Sequence, residues 1–91
     1  MKYAIKYTSA FKKDYKRMQK RGKDMSKLLD VVDLLCAGGE LPSRYKDHSL
    51  GGDYKGHRDC HIEPDWILVY YRTESCLVLT LTRTGSHSDL F

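Results

Sequence analysis

The residues with chemistry to offer gather around one turn, in His57-Arg58-Asp59-Cys60-His61-Ile62-Glu63-Pro64-Asp65-Trp66. Pro64 presets φ for a tight corner, and Glu63 and Asp65 flank it with polar groups, so the stretch reads as two strands joined by a turn. A hairpin closed there sets His61 beside Asp65 and Trp66, an acid-base pair next to an aromatic plate. Further on, Arg83 and His87 stand around Gly85. Histidine titrates near pH 6.5, so one ring can take a proton while another gives one. An arginine fork can hold two phosphate oxygens, and Trp66 or Phe91 could stack on a splayed base. Together these groups suit RNA cleavage without a metal. A base activates a ribose 2′-hydroxyl, the oxygen attacks the adjacent phosphate, and an acid protonates the departing 5′-oxygen.

A metal or cofactor is not expected. The cysteines lack the spacing of a zinc ribbon, and on a strand His57 and His61 would lie ~13 Å apart, too far to share an ion. His57 is assigned no role.

The elements that must position these groups follow from periodicity. Residues 2 to 7 alternate, with Tyr3, Ile5 and Tyr7 on one face, which predicts a short strand. Thr8 or Ser9 caps a helix whose stripe is Phe11, Tyr15 and Met18, and Gly22 ends it. A second helix starts near Asp24, carries Met25, Leu28, Leu29, Val32, Leu35 and Cys36 on its core face, and stops at Gly38-Gly39. The two form an antiparallel helical hairpin. Residues 40 to 52 read as loop. Strands are expected at about Asp53–His61, Trp66–Arg72 and Cys76–Thr82, with Trp66 to Tyr71 apolar on both faces as a central strand requires. The expected fold is α+β: one domain over residues 1–91, an N-terminal strand, the helical hairpin, then a three-stranded antiparallel meander, with both helices on one face of the sheet. In such a meander His61, Asp65 with Trp66, and Arg83 leading to His87 share one sheet edge. Arg83 has the parity of Leu79 and Leu81, so turning it into a site requires a break in the strand there.

Composition bounds the partners. Ninety-one residues, 41% of them apolar, suffice for one modest core. No apolar run approaches the ~18 residues of a membrane span, and the N-terminus lacks the long apolar core of a signal peptide. Three widely spaced cysteines fit reduced thiols. A cytoplasmic protein with no membrane partner is expected. The net charge is +4, and ten of the sixteen Lys and Arg precede Leu28. Lys12, Lys13, Lys16, Arg17, Lys20 and Arg21 lie outside the apolar stripe of the first helix, a surface suited to a polyanion.

The segments Tyr45-Lys46-Asp47-His48-Ser49-Leu50, His61-Ile62-Glu63-Pro64-Asp65-Trp66 and Arg83-Thr84-Gly85-Ser86-His87 resemble the YafQ-like branch of the RelE toxin superfamily. The resemblance extends over nearly the whole chain. It implies a toxin of a type II toxin–antitoxin system, an endoribonuclease that cuts mRNA in the ribosomal A site. A cognate antitoxin with an acidic C-terminal tail would hold it inactive, and operator DNA would be reached only through that antitoxin. It implies acid-base roles for His48, His61, Asp65 and His87, a phosphate contact at Arg83, and RNA contacts at Trp66, Phe91 and Lys46. The basic helix would face ribosomal RNA or antitoxin. The same fold resembles gyrase-poisoning toxins that act by binding, which is the alternative; three histidines and an aspartate at one edge favour the enzyme.

Overall fold

The computed structural model describes residues 2–91. Chain order is β1 (Ala4–Tyr7), α1 (Ser9–Lys20), α2 (Met25–Cys36), β2 (His48–Ser49), β3 (Arg58–Glu63), β4 (Trp66–Thr73), β5 (Val78–Gly85) and α3 (His87–Leu90), with single 3-10 turns at Ser43–Tyr45 and Gly52–Tyr54. The five strands form one sheet in the order β1-β5-β4-β3-β2. β1 runs parallel to β5, and the other neighbours are antiparallel. The expected meander is thus only part of a mixed sheet, which gains β2 inside the segment read as loop.

Local chemistry sets the boundaries. Thr8 caps α1 by accepting from Phe11 N at 3.0 Å, and Asp24 caps α2 by accepting from Ser26 N at 3.1 Å. Lys2 N and Tyr3 N donate to Cys36 O at 2.9 and 3.1 Å. These residues satisfy the C-terminus of α2, so β1 begins only at Ala4. The approach is tight: a Cβ on Gly38, at φ +88°, would stand 3.1 Å from the Tyr3 ring. β3 starts at Arg58 rather than Asp53, because the Gly52–Tyr54 turn and Gly56 at φ +88° coil the preceding residues. β5 is displaced in the same direction. Leu77, at φ +52°, closes the turn before it, and pairing continues to Gly85.

β4 is buried on both faces, as its composition predicts; Trp66 to Tyr70 are at most 1% exposed. Trp66, Leu68 and Tyr70 pack with Cys60, Leu79 and Leu81 against Phe11, Met18, Leu28, Val32 and Leu35, so both long helices cover one face. Ile67 and Val69 point the opposite way, toward Leu90, Leu50 and Tyr54. α3 and the segment before β3 therefore cover the second face.

Trp66 is wholly buried, and its indole donates to Thr84 Oγ1 at 2.9 Å; that hydroxyl donates onward to Ile67 O at 2.8 Å. Thr84→Val leaves the indole N–H without an acceptor, at a cost of about 1–3 kcal/mol. Thermal denaturation should show a Tm lower by several degrees, largely recovered in Thr84→Ser. An unchanged Tm in Thr84→Val would show that the relay contributes nothing.

Candidate active site

Three imidazoles line up where β2, β3 and α3 meet on the second face of the sheet. The His61 ring centroid stands 6.4 Å from that of His48 and 5.4 Å from that of His87. Each arrives by a different device. His61 pairs with Ile67 across the β3–β4 ladder, beside a register shift that leaves Ile62 unmatched before Glu63 meets Trp66. His48 pairs with Asp59 in the edge strand β2. Its segment is anchored by Asp47, which accepts from Tyr70 Oη at 2.6 Å and from Arg58 Nε at 3.2 Å. His87 opens α3, which Ser86 and Asp89 cap reciprocally.

Every one of these rings has Nδ1 against an acceptor. His48 Nδ1 lies 2.9 Å from Lys46 O, His61 Nδ1 3.3 Å from Pro64 O, and His87 Nδ1 2.7 Å from Asp65 Oδ1. A carbonyl can only accept, so His48 and His61 carry their proton on Nδ1 and leave Nε2 for chemistry. To present its carbonyl, Lys46 adopts φ +50°, a left-handed conformation that costs a non-glycine residue of order 1–3 kcal/mol.

Asp65 serves His87 rather than His61, its expected partner. It also accepts from the His87 backbone N–H at 3.0 Å. That N–H first, and the ring second, hold the Asp65 carboxyl below the usual carboxylate range, so it stays ionised as a counter-charge for an imidazolium. α3 is fastened from the other side as well. Arg21 forks onto Asp89 at 2.6 and 2.9 Å, with Arg17 at 3.5 Å, and the Arg21 guanidinium holds the Asp89 carboxyl far below its ordinary range. Two of the six cations expected to face a partner thus clasp the site from behind. Lys12, Lys13, Lys16 and Lys20 remain exposed.

Arg83 reaches the site's face through a register shift. Tyr70 pairs with Leu81 but Val69 with Arg83, so Thr82 is the extra residue that reverses parity. The guanidinium is not idle: Nε and Nη2 donate to Asp14 at 2.6 and 3.1 Å, leaving Nη1. Trp66 is a correction. With no exposed surface it is core and can stack on nothing, whereas Phe91 is 60% exposed, edge-on to Tyr54 at 5.6 Å and 6.5 Å from the His87 ring. Lys46 is exposed at the rim. His57 lies apart, packed edge-on to Tyr71 at 4.8 Å. Among the described residues, no group of three His, Cys, Asp or Glu stands ready to hold a metal ion.

One residue beside the row escaped the sequence reading. Asp59 is 3% exposed, with Oδ1 3.0 Å from His48 Nδ1 and no well-aligned hydrogen-bond donor. The His48 N–H aims better at the carbonyl, which leaves Asp59 as a buried counter-charge behind the three rings. Its parity with His61 on β3 was the available signal.

Comparisons with known proteins bear on the family and the fold. Residues 3–91 match the family described as bacterial toxin of type II toxin-antitoxin system, YafQ. The chain belongs to that family. Over 88 residues it is 49% identical to the mRNA interferase toxin YafQ of Escherichia coli K12, covering 96% of this chain and 94% of that one. The crystal structure of YafQ from E. coli BL21(DE3) superposes with a TM-score of 0.91 at 47% identity, covering 98% of each chain. The E. coli DinJ-YafQ complex gives 0.89 at 48% identity, again over 98% of each.

Burial pushes the Asp59 carboxyl above its ordinary range, against the opposing pull of His48, His61 and His87. A raised folded value means that ionisation is disfavoured in the fold. The penalty is absent below the unfolded value, about 3.9, and grows as pH rises through the raised one. Asp59→Asn should therefore raise Tm near pH 7 and leave it unchanged near pH 3. Melting curves showing equal shifts at both would exclude a buried charge there.

Proposed function

We propose that this chain is the toxin of a type II toxin–antitoxin pair and an endoribonuclease that cuts mRNA in the ribosomal A site. The observation that carries the reading is the row of three imidazoles, each with Nδ1 against an acceptor, beside the carboxylates Asp59 and Asp65. The E. coli relatives named mRNA interferase toxin support the substrate. Nε2 of His61, or of His48, takes the proton of a ribose 2′-hydroxyl. The 2′-oxygen forms a bond to the adjacent phosphorus as the bond from phosphorus to the 5′-oxygen breaks. His87, backed by the ionised Asp65, gives its Nε2 proton to that oxygen. Arg83 Nη1 and Lys46 offset charge on the non-bridging oxygens, and Phe91 offers a stacking surface to a base. No cofactor enters the scheme.

The partner assignments rest on charge. The DinJ-YafQ complex is a toxin–antitoxin pair among the relatives, and an acidic antitoxin tail is the corresponding ligand here. Lys12, Lys13, Lys16 and Lys20 form the surface that such a tail and ribosomal RNA would contest. Operator DNA is reached only through the antitoxin. No helix among the described residues is long and apolar enough to cross a membrane, and a ribosomal target places the protein in the cytoplasm.

Added to a cell-free translation reaction, the protein should truncate mRNA within translated codons and leave 2′,3′-cyclic phosphate and 5′-hydroxyl ends. Ends bearing 3′-hydroxyl and 5′-phosphate would sink the mechanism, since they require an attacking water. In single-turnover cleavage on A-site-programmed ribosomes, His87→Ala and His61→Ala should each lose ~10²–10⁴ in rate. His57→Ala, whose ring packs on Tyr71 away from the row, should stay within a few-fold of the parent. A His57→Ala variant as dead as His87→Ala would put the site on the wrong part of the sheet.

Charge reversal at Lys12, Lys16 and Lys20 together should weaken ribosome binding and flatten its dependence on salt, because those phosphate contacts are gone. Filter binding across a salt series measures both. Intact affinity for ribosome and antitoxin would show the helix to be only a solvated face.

A further inference from the structure

A cavity of about 410 Å³ opens beside His61, between the first turns of α2 and the Ser43–Tyr45 turn. Its walls include Lys27, Asp30, Tyr45, Glu63 and Pro64, with Lys46 shared between it and the histidine row. Pro64 offers the carbonyl that holds His61 Nδ1, so the cavity begins where the reacting row ends. On its floor the exposed Arg44 lies over Tyr45, with Cζ 4.8 Å from the ring centroid and Nη2 3.1 Å from Tyr45 Oη. Neither Arg44 nor Lys46 has an ion-pair partner among the described residues. The opposite wall is stiffened, because Glu63 accepts from Lys23 at 3.0 Å and Lys27 at 2.9 Å and so ties β3 to α2.

We propose that this cavity is a nucleotide subsite. It takes the base of one mRNA nucleotide flanking the cleaved phosphate, stacked on the Arg44 guanidinium that Tyr45 supports from behind. The inference rests on the ribonuclease reading above and adds to it the place where sequence is sensed. Three observations favour a base over a second phosphate. The volume lies in the range of small-ligand pockets, well beyond what a lone phosphate fills. The planar Arg44 guanidinium lies over the Tyr45 ring, and arginine planes and aromatic rings are the surfaces on which unpaired RNA bases stack. Asp30, which has no ion-pair partner among the described residues, stands in the wall, where it repels a phosphate but accepts a hydrogen bond from a base edge. Lys46, held in its left-handed turn, sits where the chain passes from cavity to row, in reach of the phosphate between the two nucleotides.

The test is single-turnover cleavage on ribosomes whose A-site codon carries each of the four bases at each position. The parent should prefer some bases at one position. Arg44→Ala should slow cleavage of the favoured codons about tenfold, as loss of a stacking partner does, with a smaller loss on codons whose bases stack less strongly. Arg44→Lys should behave as Arg44→Ala, because it keeps the charge and loses the plane. Arg44 is exposed, so neither change threatens the fold. A parent without base preference, an Arg44→Lys variant equal to the parent, or a uniform fall on every codon would each overturn the subsite. Failure of the ribonuclease reading is separate: the parent would then leave mRNA intact on every codon.

Discussion

The buried carboxylate of Asp14 holds the catalytic end of the molecule together. It is 1% exposed and accepts from Arg83 Nε and Nη2 and from the backbone N–H of Thr84. A charge so placed is tolerable only when its oxygens are matched by donors. Here the donors come from the stretch of β5 that has outrun its neighbour, since β1 pairs only as far as Leu81. Thr8 assists by donating to Thr82 O at 2.7 Å. Helix α1 thus closes the open edge of the sheet with side chains in place of a strand. Gly85 and α3 follow directly from that stretch, so His87 inherits its position from Asp14.

A second layer of support surrounds the three imidazoles. None of the three relies on another for orientation: a carbonyl, a second carbonyl and a carboxylate each hold one Nδ1. Nε2 of each ring is therefore left free of these acceptors, and the rings differ in the charge beside Nδ1. Asp65, ionised, stands behind His87; the Lys46 carbonyl and the buried Asp59 stand behind His48, and the Pro64 carbonyl alone behind His61. The two carboxylates thus flank the row, and His61 between them has only a carbonyl at Nδ1.

Much of this was legible in the sequence, because strong periodicity and turn chemistry dominate. The unbroken apolar run from Trp66, the Pro64-Asp65 corner and the caps at Thr8 and Asp24 each do locally what their types prescribe. Meander geometry brings His61, Asp65 and His87 together, and the strand break required for Arg83 is present, but tertiary pairing supplies it. The extra residue Thr82 turns Arg83 to the opposite face, and no local signal distinguishes it from the strand around it. Trp66 reads equally as plate or core, and a threonine eighteen positions away decides for core by accepting its N–H. Arg17 and Arg21 look like free surface charge until α3 folds back to present Asp89. Asp59 was visible as an acid beside histidines on one face, but its burial depends on β2, a strand too short to announce itself.

The parallel pairing of β1 with β5 also governs when the histidine row can assemble. Thr8 and Thr82 are bonded across 74 positions of sequence, and contacts this distant close late because the intervening loop must first be ordered. During synthesis α1, α2 and even the β3–β4 hairpin can form while β5 is still being made. At that stage Asp14 has no donors and His87 does not yet stand beside His61. A chain still being made consequently lacks the histidine row, which is complete only after the last strand has docked.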